Sequence, residues 1–141
     1  MDFSKSFDVC SSGLSVQRIR MDVVASNLAN VHTTQTVEGG PYRRKIAVLA
    51  ADTVKAGFGG ALDDAVRGVK VSKIVEDSGE FKKVHDPAHP GADPEGYVQM
   101  PNVNTVQEMA DMIVVSRAYE ACVTAFDATK SMALKALEIG K

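Results

Sequence analysis

"SNLANVHTT", residues 26–34, decides how this chain divides. Before it, apolar residues recur with a helical period; after it, they do not. The stretch also carries two asparagines, Asn27 and Asn30, where the helical pattern is about to stop. Asparagine is a mediocre helix former, because its amide competes for backbone partners. That same competition is useful where a chain must leave a helix with its polar groups still bonded. The spacing puts Asn27 beside the apolar seam, within reach of an adjacent helix or backbone. Asn30 points elsewhere and is placed to close the helix end.

Upstream, Phe3, Phe7, Cys10, Leu14, Gln17, Met21, Val24, Leu28 and Val31 step alternately by four and three. That is a heptad seam in which Gln17 is the one polar member. Gly13 is the only breaker, at a cost of about 1 kcal/mol. Residues 3 to 31 therefore read as one helix, a rod of about 43 Å at the usual rise.

Downstream, Thr33, Thr34 and Thr36 are β-branched, Gly39 and Gly40 free the backbone, and Pro41 stops any helix. "YRRKIAVLA" (42–50) reads as a strand by its aliphatic and aromatic content. Residues 51–67 are glycine-punctuated and read as a loop or hairpin tip. "GVKVSKIVED" (68–77) alternates at Val69, Val71 and Lys73, then shifts phase at Ile74, which predicts a strand with a bulge. "EFKKVHD" and "YVQM" add two short strands. Between them, residues 86–96 hold three prolines and two glycines in eleven positions, so they form a loop.

A second helical pattern starts after "PNVN". Thr105 with Glu108 three later has the form of a capping box, and Asn104 is an alternative cap. Met112, Val115, Tyr119, Cys122, Phe126, Thr129, Ala133 and Ala136 then step by three and four. Met109, Ile113, Val123, Leu134 and Leu137 widen the stripe over a helix of about 35 residues. Asn102 and Asn104 stand at the start of this helix as Asn27 and Asn30 stand at the end of the first. These amides are expected to fix the junction between two helices and the β insert.

The fold class is α+β. Long N- and C-terminal helices pack as an axial, coiled-coil-like pair, with a small β-rich insert between them. The divisions fall at 1–32, 33–103 and 104–141. In antiparallel register, with residue 31 near residue 104, residue 10 faces about residue 125. The insert is too small to cover both apolar stripes, and exposed apolar surface of that size marks an interface. A monomeric helical hairpin with a β cap is the plainer alternative.

Composition narrows the function. Net charge is −2 over 141 residues, so there is no basic excess for nucleic acid. Aromatics make up 6%, with no tryptophan, which argues against an aromatic-lined substrate pocket. The N-terminus lacks a signal-peptide pattern, and no apolar run reaches membrane-spanning length. Cys10 and Cys122 lie on the two seams as small apolar side chains, in a register that also allows a disulfide. No phosphate-loop, dinucleotide or nucleophile-elbow motif is present, and no catalytic constellation or cofactor site is expected. His85, Asp86, His89 and Asp93 bring metal-ligand chemistry together, but across prolines and without a third nearby His or Cys. A small metal-binding protein using this loop is the alternative function. His32 reads as a polar contact at a helix end.

Longer motifs carry a resemblance. "SGLSVQRIRMDVVASNLANVHTT", "GGPYRRK" and "DPAHPGADPEGYVQMPNVNTVQEMADMIVVSRAYEACVTAFDATKSMALKAL" resemble the bacterial flagellar basal-body rod proteins, over most of the chain. The sequence departs from that pattern at His32, Gly79, His85 and Cys122. The resemblance implies a non-enzymatic axial subunit that transmits torque. Its terminal helices would line a hollow rod, and its β-rich middle would face outward. It implies copies of the chain and other rod proteins as partners, with the FliE-type adaptor, the membrane-supramembrane ring and the flagellar type III export apparatus. Nucleic acid and small-molecule substrates are not implied. The location implied is the periplasmic part of the basal body, reached without a cleaved signal peptide. Subunit contacts are then expected at Phe3, Phe7, Leu14, Met21, Val24, Asn27 and Leu28 on the first helix. On the second they fall at Met112, Val115, Tyr119, Phe126, Leu134 and Leu137. A soluble helical adaptor is a further reading, and it predicts a discrete oligomer instead of a filament.

Overall fold

The computed structural model describes residues 3–53 and 67–139. The first helix, α1, runs Phe3–Ala29. It stops two residues short of the expected end because Asn30 closes it. The Asn30 amide donates to the Ser26 carbonyl at 2.9 Å, and its oxygen accepts from Thr33 Oγ1 at 3.2 Å. Val31 falls in the turn that follows.

Four strands follow: β1 (Lys45–Thr53), β2 (Arg67–Glu76), β3 (Lys82–His85) and β4 (Tyr97–Met100). They form two separate antiparallel pairs, β1 with β2 and β3 with β4. β1 starts later than the sequence suggests. The Tyr42 N–H bonds to the Thr33 carbonyl at 3.0 Å, and the Arg44 N–H bonds to Asn102 Oδ1 at 2.8 Å. Neither is left for a ladder. The bulge exists but sits earlier than Ile74: Val48 pairs with Lys73 and Leu49 with Val71, so Ser72 is the extra residue. The loop or hairpin tip expected over 51–67 lies mostly outside the described residues. Its flanks, 51–53 and 67, continue β1 and β2.

The loop 86–96 is built from short turns. The Asp86 N–H donates to the Gly96 carbonyl at 2.9 Å, and the Asp93 N–H to the Tyr97 carbonyl at 2.9 Å. Gly96 has φ +80°, and a Cβ there would stand 3.2 Å from both His85 Nε2 and Pro87 Cγ. Only glycine suits that position.

The second helix, α2, runs Thr105–Ile139, 35 residues. Its cap is Asn104, not Thr105. Asn104 Oδ1 accepts from the Val106 N–H at 3.1 Å, and the Asn104 carbonyl takes the Glu108 N–H at 2.9 Å. Glu108 therefore makes no capping box; its carboxylate has other partners.

The helices are antiparallel in the expected register. Phe7 meets Phe126 edge-to-face at 5.0 Å, and a Cβ on Gly13 would lie 3.3 Å from Cys122 Sγ. The lack of a side chain at Gly13 thus lets α2 approach. Cys10 and Cys122 are free thiols, both half-buried.

One difference from the seam has a packing cause. The buried residues of α1 are Val24, which is on the predicted line, and Val16, Val23 and Asn27, each one residue before it. α1 packs against α2 and also against both strands of the first sheet. Its buried face is therefore turned between two neighbours. Ser12 marks the sheet side, where its hydroxyl accepts from the Val69 N–H at 3.2 Å. α2 has only α1 as a major neighbour among the described elements.

Candidate functional site

The residues flagged by "SNLAN" and "PNVN" converge where both helices meet the insert. Asn27 is 1% exposed, in the last turn of α1. Its amide nitrogen donates to the Lys45 carbonyl at 2.9 Å and to Glu108 Oε2 at 3.0 Å. Its oxygen accepts from the Lys45 N–H at 2.8 Å and from the Tyr42 hydroxyl at 3.0 Å. One side chain thus bonds both backbone groups of the first residue of β1, ties in the chain's return after Pro41, and reaches α2. An amide offers two donors and two acceptor lone pairs, and all four are used here.

Glu108 is 0% exposed, on the first turn of α2. Burying a carboxylate costs several kcal/mol unless it is paired and hydrogen-bonded. Arg44 supplies the pair, with its Nε 2.5 Å from Glu108 Oε1. The same guanidinium reaches Asp111 Oδ2 at 3.3 Å and Asp77 Oδ2 at 3.9 Å. Arginine suits this place because its planar fork serves several oxygens at once. Asn102 adds the second amide, taking the Arg44 N–H and donating to the Asp77 carbonyl at 3.3 Å. Lys82 Nζ donates to the Val103 carbonyl at 2.8 Å, which ties β3 to the approach of α2.

The elements that meet at this network also supply buried apolar residues, among them Val24, Tyr42, Val98, Val103 and Val115. No buried side-chain nitrogen or oxygen among the described residues lacks a partner. Such a saturated network defines one geometry, because any displacement strands several groups at once. It offers no nucleophile, base or open ligand position. It is a joint.

α2 presents a different surface on its far side. Val106, Met109, Ile113 and Val114 are exposed, at 76%, 54%, 64% and 59%. Helical geometry sets Val106, Met109 and Ile113 opposite Val115, which is fully buried, and Val114 on their flank. Met132, Leu134, Leu137 and Ile139 are also exposed, at the end of the helix and on more than one side of it.

Relatives of nearly full length decide the family. The chain is 49% identical to the flagellar basal-body rod protein FlgC of Bacillus subtilis, across 96% of this chain and 97% of that one. The chain belongs to the FlgC family of flagellar basal-body rod proteins. Its identity to the FlgC protein of Borreliella burgdorferi is 44%, over 99% of this chain and 98% of the other. With that of Salmonella typhimurium it is 40%, over 96% of each. Two family models match as well. Residues 7–34 match "Flagella basal body rod protein", and residues 95–139 match "Flagellar basal body rod FlgEFG protein C-terminal". The protein is a structural subunit of the flagellar basal-body rod.

The two matched segments hold the two ends of the joint, Asn27 in one and Glu108 in the other. Tyr42, Arg44 and Lys45 lie between them, in the segment that the FlgC relatives cover and the two shorter models do not.

The structure distributes the expected contact residues over three settings. Val24, Asn27 and Val115 are buried within the chain itself. Phe3, Phe7, Leu14, Met21, Leu28, Met112, Tyr119 and Phe126 are half-buried, with Phe7 and Phe126 stacked on one another. Leu134 and Leu137 are exposed.

The metal-binding alternative is not favoured. Among the described residues, no three His, Cys, Asp or Glu side chains converge on a common point. His85 packs edge-on against Tyr97 at 5.1 Å, and His89 Nδ1 accepts from the Gly91 N–H at 3.1 Å. Both rings serve their own loop. No helix is long and apolar enough to cross a membrane among the described residues.

Proposed function

We propose that this FlgC-family chain is a non-enzymatic, proximal subunit of the rod, and that it transmits torque through helix packing in a hollow axial assembly. The observation that carries this reading is the far side of the first turns of α2, where Val106, Met109 and Ile113 are exposed and no other described element packs against them, with exposed apolar side chains again at the helix end. Each large apolar side chain buried against a neighbour contributes about 1.5–3 kcal/mol, repeated at every subunit contact. Phe3, Phe7, Leu14, Met21, Leu28, Met112, Tyr119, Phe126, Leu134 and Leu137 are the proposed contact residues, joined by Val106, Met109, Ile113 and Val114. Val24, Asn27 and Val115 support the contacts from inside. The three segments 1–32, 33–103 and 104–141 act as axial helix, outward insert and axial helix.

The partners in this reading are copies of the chain, other rod proteins, the FliE-type adaptor and the membrane-supramembrane ring. The subunit passes through the flagellar type III export apparatus without a cleaved leader and works in the periplasmic part of the basal body. Electron microscopy of isolated basal bodies, with the chain deleted and then restored, tests the position. The expected result is a ring structure without a rod, repaired by the restored chain. A rod of normal length without the chain contradicts the reading.

A further inference from the structure

The insert holds two two-stranded sheets, so each strand has one edge with no strand beside it among the described residues. Bare edges invite a further strand, and proteins blunt them with lysines, prolines, bulges or short length. Three of the four edges are blunted here. β2 has its bulge at Ser72, exposed Lys70 and Lys73, and its Val69 N–H taken by Ser12. β3 is four residues long and begins with Lys82 and Lys83. β4 is equally short; its Tyr97 carbonyl is taken by the Asp93 N–H, and Pro101, which follows it, has no N–H. β1 has none of these devices. It runs nine residues, its own side of the ladder has no bulge, and the six residues 46–51 are all apolar.

The alternation of ladder bonds shows which backbone groups of β1 are bare. The Asp77 N–H donates to the Arg44 carbonyl at 2.7 Å, so residues 44, 46 and 48 turn their polar groups toward β2. Residues 45, 47, 49 and 51 turn theirs away. Two contacts agree with this. Both backbone groups of Lys45 go to Asn27, on the outer side. Val69, opposite Ala51, likewise sends its N–H outward, to Ser12. The joint thus closes the edge at Lys45, but no other described element bonds the outward groups of Ala47, Leu49 and Ala51. Leu49 is 42% exposed, and Ala51, two residues on, is exposed as well.

We propose that β1 receives a third strand in the assembled rod, an extended, uncharged segment of a neighbouring subunit paired along residues 47–51. The inference rests on the rod-subunit reading and gives the insert a contact of its own. The chemistry of the edge selects the occupant. N–H and carbonyl groups that recur every second residue, about 6.8 Å apart, match another extended backbone. A helix has its backbone bonded internally and does not pair with them. The lack of charge over residues 46–51, with Ile46 and Ile74 exposed on the same hairpin, calls for small or apolar side chains on the added strand. A second copy's β1 meeting this one edge to edge is a two-fold contact, which closes, whereas a rod grows by contacts that do not. The added strand is therefore a segment other than β1.

Hydrogen exchange resolved to single amides, in the free full chain and in isolated basal bodies, tests this. The amides of Ala47, Leu49 and Ala51 should exchange freely in the free chain and slow by about tenfold or more in the rod. Unchanged exchange at all three, in a chain that is present in the basal bodies, overturns the added strand and leaves the rod assignment standing. A variant gives a second readout. Ala51→Pro removes an outward N–H and no ladder bond, which an edge position tolerates. It should keep its unfolding midpoint and be depleted from basal bodies, with Leu49→Pro in its place if it does not fold. A folded proline variant incorporated at the unmutated level overturns the proposal. A photo-crosslinking residue at position 51 is expected to join alternate residues of an extended segment in another chain. A link to β1 of a second copy, or within the same chain, overturns it. Absence of the unmutated chain from basal bodies would sink the rod reading itself, and this inference with it.

Discussion

The joint at Asn27 and the far side of α2 lie a helix diameter apart and obey opposite rules. At the joint the side chains are polar, Asn27 and Glu108 at its centre are nearly inaccessible, and each has its partner within the chain. On the far side of the first turns of α2, at Val106, Met109 and Ile113, they are apolar and bare. The difference separates what this chain completes alone from what it leaves to its neighbours. Hydrogen bonds and ion pairs are directional, so they suit a joint that must hold two helices and an insert at one angle. Apolar burial is non-directional and scales with area, so it suits contacts repeated along a rod.

The largest effect is expected at the charged centre of the joint. Arg44→Met removes the cation from a carboxylate with no access to water. Leaving one partner of a buried pair alone costs about 3–5 kcal/mol. Chemical denaturation should show a loss of that order, and a loss below about 1 kcal/mol would mean the pair is not what holds Glu108 in place. Next comes Asn27→Leu, close in size but without bonds. It strands the Lys45 N–H and carbonyl and one Glu108 oxygen, and each buried group left unpaired costs about 1–3 kcal/mol. Loss of hydrogen-exchange protection at Lys45 is the local signature to look for.

A smaller effect sharpens the helix register. Gly13→Leu forces side-chain atoms toward Cys122, and overpacking of this kind costs about 1–3 kcal/mol. With Cys122→Ala in the same chain, Gly13→Ala should instead stabilise by up to about 1 kcal/mol, from helix propensity alone. Equal effects of Gly13→Ala in both backgrounds would show that Cys122 is not the neighbour that matters. The smallest effect on stability belongs to the far side of α2. Ile113→Asp should shift folding free energy by less than about 0.5 kcal/mol, as for other exposed sites, while abolishing motility. Phe126 is a poorer place for that experiment. Its stacking on Phe7 means a charge there disrupts the helix pair before any neighbour is involved.

Much of this architecture was legible in the sequence. Both helices follow from unbroken three-four spacing, and their register follows from pairing residue 31 with residue 104; Asn27 does face Glu108. The β insert was legible element by element, because Gly, Pro and β-branched clusters punctuate it. The orientation of α1 was less so. A heptad seam reports one partner, and α1 has two, the second being a sheet contributed from residues far along the chain. Glu108 was misassigned for a local reason, since Thr-Val-Gln-Glu has the form of a capping box. A stronger signal was present: Glu108 lies four before Met112 on the apolar seam of α2. A carboxylate on a seam calls for a buried cation. "YRRK" offered two candidate arginines, and spacing alone does not separate Arg44 from Arg43. Arg43 lies over the Phe81 ring at 4.4 Å, while Arg44 turns inward.

In the proposed rod subunit the fold is completed within the chain, and the far side of α2 by its neighbours. Ile113→Asp measured in two places at once tests it most directly. Thermal unfolding of the purified variant and its amount in isolated basal bodies are compared with the unmutated chain. The expected result is an unchanged unfolding midpoint and no variant in the rod. A variant present in the rod at the unmutated level would contradict it, and so would one that is lost because it no longer folds.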